Sequence, residues 1–97
     1  MIPKPFKIRS KKITSSARGE TCTVRNSLQC AHEETVVFAH LPGNKGTSTK
    51  NHDLFGVFCC HFCHFELDNG NVSAKDQLRA LQETQLRLVT KELIIVK

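Results

Sequence analysis

Twelve consecutive residues, Cys59-Cys60-His61-Phe62-Cys63-His64-Phe65-Glu66-Leu67-Asp68-Asn69-Gly70, carry three thiols, two imidazoles and two carboxylates. Two kinds of site can be read in them. Cys60 and Cys63 have the C-x-x-C spacing that lets two thiolates reach one tetrahedral Zn²⁺. His64 and Asp68 stand at i and i+4, so on a helix they share a face. A nitrogen and an oxygen donor placed that way can hold a second, more open cation. A closed metal site beside an open one implies chemistry as well as structure.

The remaining thiols decide whether the first site can close. Cys22 and Cys30 are separated by seven residues, a longer gap than is usual between paired zinc ligands. His32, two residues past Cys30, is an alternative donor. Cys22, Cys30, Cys60 and Cys63 make the more consistent, all-thiolate set. Cys59 is either a spare thiol or a substitute for Cys60. Five cysteines, odd in number and clustered, argue for metal over disulfides in a reducing compartment. The competing reading is a set of buried, inert thiols, since free Cys packs as a small hydrophobe. No further Cys-rich run is present, so zinc is favoured over an iron–sulfur cluster.

Composition bounds the rest. Ninety-seven residues suffice for one small domain with a modest core, so a metal staple would matter to its stability. Fourteen Lys and Arg against nine Asp and Glu give a formal charge of +5, a balance that suits a polyanionic partner. No apolar run reaches the roughly 18 residues that a membrane-crossing helix needs, and no membrane partner is expected. Met1-Ile2-Pro3-Lys4-Pro5 lacks the apolar stretch of a secretory signal, so a cytoplasmic location is expected.

These side chains need elements to position them. Residues 1–18 hold Lys4, Lys7, Arg9, Lys11, Lys12 and Arg18 and no acid, with Pro3 and Pro5 set against helix. They read as a basic N-terminal arm, either a phosphate grip or a solvated tail, ahead of a single domain over 19–97. Thr21 to Val24 reads as a short β segment. Thr35 to Leu41 is β-branched and apolar and ends at Pro42-Gly43, a strand closed by a turn with His40 near its end. Asn44 to Asn51 is a small polar loop bearing Lys45 and Lys50. Leu54 to Phe58 is a second strand, and a helix follows from about 61 to 69, stopped by Gly70. Ser73, with Asp76 three residues on, opens a C-terminal helix over about 73–92. Its Leu78, Leu81 and Leu88, with Leu86, Val89 and Leu93 on a neighbouring track, predict an apolar face for the core or for a dimer seam. Leu93 to Val96 either continues that helix or adds a strand.

A strand with a histidine, a loop, a second strand and a helix opened by C-x-x-C-H-x-x-x-D is the layout of the HNH, or ββα-metal, nucleases. In detail the chain resembles small prophage-encoded proteins of the YbcO-like family, classed as nucleases. The matching pieces are Ala17-Arg18-Gly19-Glu20-Thr21-Cys22-Thr23-Val24-Arg25, Cys30, Ala39-His40-Leu41, Gly46-Thr47, Lys50, Asp53-Leu54, and Cys60 through Asp68. The resemblance implies an α+β fold: a small zinc-stapled, treble-clef-like domain with a ββα-metal core over 35–70 and an added C-terminal helix. By it, Cys22, Cys30, Cys60 and Cys63 would bind a structural zinc, and His40 would be the general base. His64 and Asp68 would hold a catalytic Mg²⁺ or Mn²⁺. Asp53 falls near the middle Asn of many HNH motifs, where it would orient the loop or His40. One departure is Ala39, which stands directly before the base, where many HNH enzymes carry a second metal ligand. Mg²⁺ tolerates two protein ligands because it keeps several waters.

The expected activity is therefore metal-dependent endonucleolytic hydrolysis of phosphodiester bonds in nucleic acid, DNA ahead of RNA. Lys11, Lys12, Lys45 and Lys50 would be weak phosphate contacts. The rival is a non-catalytic zinc-binding module that binds nucleic acid or a partner protein, with His40 and His64 structural. A redox or metal-handling protein is a third reading, weakened because no thioredoxin-like pattern surrounds the C-x-x-C. Monomer and dimer are both open.

Overall fold

The computed structural model describes residues 8–42 and 51–97. It shows a small α+β domain: helix α1 (Lys11–Ser15), strands β1 (Val37–His40) and β2 (Gly56–Cys59), and helices α2 (His61–Asp68) and α3 (Ala74–Thr90). Lys45 and Lys50, with Gly46 and Thr47, lie outside the described residues.

The two strands pair antiparallel, with Val37 opposite Cys59, Phe38 opposite Phe58, Ala39 opposite Val57 and His40 opposite Gly56. β2 is buried throughout, while β1 alternates towards solvent. Gly56 must be glycine for a local reason: a Cβ there would collide with the Phe38 ring. That ring stands edge-on to His40, 5.3 Å between centroids, so the absent side chain makes room for the packing that orients the histidine.

The far edge of β2 needs other partners for its backbone. The Thr23 amide donates to the Phe58 carbonyl at 2.8 Å, and the Thr23 hydroxyl does so at 3.0 Å. The Phe58 amide donates to Thr84 Oγ1 at 3.3 Å, and the two threonine hydroxyls meet at 3.0 Å. Thr21 to Val24 therefore runs beside β2 without forming the expected strand, because hydroxyls of Thr23 and Thr84 take the place of a backbone ladder.

Helix α3 starts as the sequence predicts, with Ser73 Oγ accepting from the Asp76 amide at 3.1 Å. Its buried positions are Ala80, Thr84 and Leu88, an i, i+4, i+8 row. Leu78 and Leu86 are exposed, not buried as the leucine pattern predicts. Arginines do the remaining docking. Arg79 donates to the carbonyls of Thr23 and Val24 at 2.8 and 2.7 Å, and Arg87 to that of Thr21 at 3.0 Å. Beyond Thr90 the chain turns through Glu92, with φ of 62°. Residues 93–96 form neither helix nor strand.

The basic segment also differs from a plain tail. Ser10 caps α1, accepting from the Ile13 amide at 3.3 Å, and Ile13 and Ala17 are buried in the core. Two apolar residues at i and i+4 anchor a short helix that would be marginal alone. No helix among the described residues is long and apolar enough to cross a membrane.

Candidate functional site

Helix α2 positions the chemistry on two of its faces. Cys60 is its N-cap and its Sγ accepts from the Cys63 amide at 3.4 Å. The helix ends in a Schellman pair, with Gly70 N–H on the Leu67 carbonyl and Asn71 N–H on that of Glu66, Gly70 at φ 73°. That conformation is cheap only for glycine. Cys63 and Leu67 face inward, and His64 and Asp68 outward.

The Sγ atoms of Cys22, Cys30, Cys60 and Cys63 lie within 4.8 Å of one another. Cys60 and Cys30 sulfurs are 3.8 Å apart, and tetrahedral zinc with bonds of about 2.3 Å requires sulfur separations of roughly 3.8 Å. Backbone amides point at these sulfurs: Arg25 N–H at Cys22, Ser27 N–H at Cys63, each 3.5 Å, and Ala31 N–H at Cys60, 3.4 Å. Such donors stabilise thiolate and orient it. Without an ion, four crowded thiols, three of them fully buried, cannot all ionise. A hydrogen bond from Cys59, opposed by burial and helped by the Arg25 and Cys60 amides, lowers Cys22 to about 4. Burial pushes Cys63 up to about 12 and raises Cys30. A dication that supplies positive charge would ionise the set, so these residues fit a metal such as zinc.

The loop that brings Cys22 and Cys30 together explains their long spacing. Arg25 and His32 both adopt positive φ, 47° and 56°, folding the loop back so that the Cys22 amide reaches the His32 carbonyl at 2.7 Å. His32 is exposed and outside the cluster, leaving Cys30 as the donor. Cys59 is fully buried, outside the four, and its bond to Cys22 together with burial raises its own thiol.

The second cluster is an open cavity of about 710 Å³ lined by residues of α1, β1, α2 and Asp53. His40 and His64 both line it, as do Lys11 and Ala39. Asp68 is not among the lining residues; its carboxylate is 3.6 Å from His64 Nε2 and 69% exposed. Lys12 is exposed on α1 and also lies outside the lining. His40 Nε2 meets Asp53 Oδ1 at 2.7 Å. Asp53 is buried and also accepts from the Ser10 amide at 2.6 Å. Burial drives its carboxyl up, but the bonds from His40 and Ser10 and the charge of Arg9 outweigh this and hold it below the ordinary value. An ionised carboxylate only accepts, so Nε2 carries the proton and Nδ1 of neutral His40 keeps its lone pair.

Arg9, Ser10 and Thr14 line this cavity and are not singled out by motif. The signal for them is Ser10 followed by Ile13 and Ala17, an N-cap with an apolar i, i+4 pair.

A family model described as "Putative nuclease YbcO" matches residues 11–95. A solved chain titled "Structure of a putative bacteriophage protein from Escherichia coli str. K-12 substr. MG1655" is similar, with 30% identity and a TM-score of 0.61. The likeness covers 81% of this chain and 98% of that one. No curated protein matches. The family match takes in α1, the thiol cluster, the hairpin, α2 and α3 together, and the chain therefore belongs to the YbcO family of putative nucleases.

Proposed function

We propose that the protein is a metal-dependent endonuclease of the HNH type that hydrolyses phosphodiester bonds of DNA, in a phage or prophage setting. The observation that carries this reading is that His40, from the end of β1, and His64, from α2, line one cavity together with the cations Arg9 and Lys11. A zinc held by the four thiols would fix β2 and the start of α2, and so the spacing of the two imidazoles. Five free thiols suit a reducing, cytoplasmic setting.

In this mechanism Asp53 holds Nε2–H of His40, so that Nδ1 takes the proton from an attacking water. Lys11, with Lys12 and the loop lysines Lys45 and Lys50, attracts the phosphate backbone. His64 and Asp68 would hold Mg²⁺ or Mn²⁺ on the outer face of α2, with water completing an open site. Held by His64 and Asp68, such a cation would supply positive charge for the phosphate and the departing oxygen. Ala39 adds no ligand, so weak, exchangeable binding is expected.

One observation favours a second reading. Asp68 stands outside the cavity lining, which suits a non-catalytic zinc module that binds nucleic acid or a partner protein. Metal stoichiometry separates the two. The nuclease retains one tight zinc and binds a weak, exchangeable Mn²⁺ that His64→Ala abolishes. One tight zinc, no second site and no strand cleavage with Mg²⁺ or Mn²⁺ would establish the binding module.

A further inference from the structure

We infer that the segment entering α1 is one wall of the nucleic-acid site, with Arg9 and Lys11 holding a substrate phosphate. This rests on the nuclease reading of the same cavity. Arg9, Ser10, Lys11 and Thr14 face Ala39, His40 and His64 across that space, so part of the lining comes from outside the hairpin and α2.

The wall is built into the fold. The Ile8 amide donates to His52 Nδ1, and the Asp53 amide to the Ile8 carbonyl, each at 2.9 Å. Ser10 N–H closes on Asp53, and the buried Ile13 and Ala17 fix the helix behind it. Burial of one helical face turns Lys11 and Thr14 towards the cavity.

Charge selects the ligand. Among the described residues, two cations, Arg9 and Lys11, line the cavity against one carboxylate. That carboxylate, Asp53, already accepts from His40, Ser10 and Arg9. The field left over favours an anion. Arg9 Nη1 is held by the Asn51 carbonyl at 2.6 Å and by Asp53 at 3.3 Å, while its side chain remains 44% exposed. A planar guanidinium fixed in place before the substrate arrives suits phosphate recognition. It also brings positive charge to a cavity in which Ala39 can hold no metal.

The test is duplex DNA binding against salt on the non-cleaving His40→Ala background, paired with plasmid cleavage in the otherwise native chain. Each phosphate contact contributes about 0.9 to the slope of log affinity against log salt. Lys11→Ala and Arg9→Gln should each flatten the slope by about that much and raise KM, with zinc content unchanged. Lys75→Ala, an exposed lysine on α3, should alter neither. Lys11 is exposed, so its variant decides the matter should Arg9→Gln fail to fold. Cleavage by the native chain with both slopes unchanged overturns the inference and leaves the nuclease reading standing. Flattened slopes without cleavage by the native chain keep the phosphate wall and remove the nuclease. Failure of the native chain to bind duplex DNA removes both.

Discussion

The thiol cluster and the histidine cavity share helix α2 yet are built on opposite physical terms. At the cluster, three of four thiols are fully buried, the sulfurs crowd within 4.8 Å, and backbone amides point at them. On the other face of α2, His64, which lines the cavity, is 40% exposed, and Asp68, outside the lining, is 69% exposed. A closed donor set holds an ion for the life of the fold, whereas an open one lets water, ion and substrate exchange. The contrast teaches that position on one short helix is enough to separate a closed donor set from an open one. Faces about 100° apart per residue divide Cys63 and Leu67 from His64 and Asp68.

The comparison breaks hardest at the cluster. Cys60→Ser, or zinc removal by a chelator, should abolish cooperative unfolding in circular dichroism. Structural zinc contributes about 10–16 kcal/mol, against a total domain stability of about 5–15 kcal/mol. A zinc-free protein with an unchanged melt would refute this.

Asp53→Asn probes the other side. It should lower plasmid cleavage by up to about 10⁴-fold, as when the carboxylate that fixes the tautomer of a catalytic histidine becomes an amide, while zinc content stays whole. Folding holds the Asp53 carboxyl below its ordinary value. Its contribution to stability is therefore present at neutral pH and lost as pH falls through that lowered value. The stability gap between native chain and variant should close there.

Thr84→Val separates packing from chemistry. It strands the buried Phe58 amide, while the Thr23 hydroxyl keeps the Phe58 carbonyl, so urea unfolding of the zinc-loaded protein should show a loss of about 1–3 kcal/mol. Glu83→Gln should matter least. Its pairs with Arg25 and Arg79 are partly exposed, and exposed pairs are worth about 0.2–1 kcal/mol.

Local signals carried much of this architecture. The hairpin, α2 with its glycine stop, and the Ser73 cap are each written in a few adjacent residues, and the structure has all of them. The four-thiol set was legible from residue type, although the turn that closes Cys22 on Cys30 needs positive φ at non-glycine residues, which no pattern announces. The α3 contacts were misread because Leu outranks Ala and Thr in any hydrophobic pattern. The helix buries Leu88 as that pattern has it, but beside Ala80 and Thr84, small enough to lie close to β2, and anchors itself with arginines. The placement of residues 8–14 was hidden for a different reason. Their partners, Asn51 to Asp53, lie some forty residues away, and the bonds of Ile8 with His52, Arg9 with Asn51 and Ser10 with Asp53 each join a side chain to a backbone atom, a match that no side-chain pattern records.

In the proposed reaction, the imidazole at the end of β1 activates water in the cavity it shares with His64. Cleavage of supercoiled plasmid by zinc-loaded protein on adding Mg²⁺ or Mn²⁺, beside His40→Ala of equal zinc content, tests it most directly. The account predicts nicking that falls about 10²–10⁴-fold in the variant, the usual worth of a general base. Equal rates for the two, or no cleavage by the native chain with either metal, would contradict it.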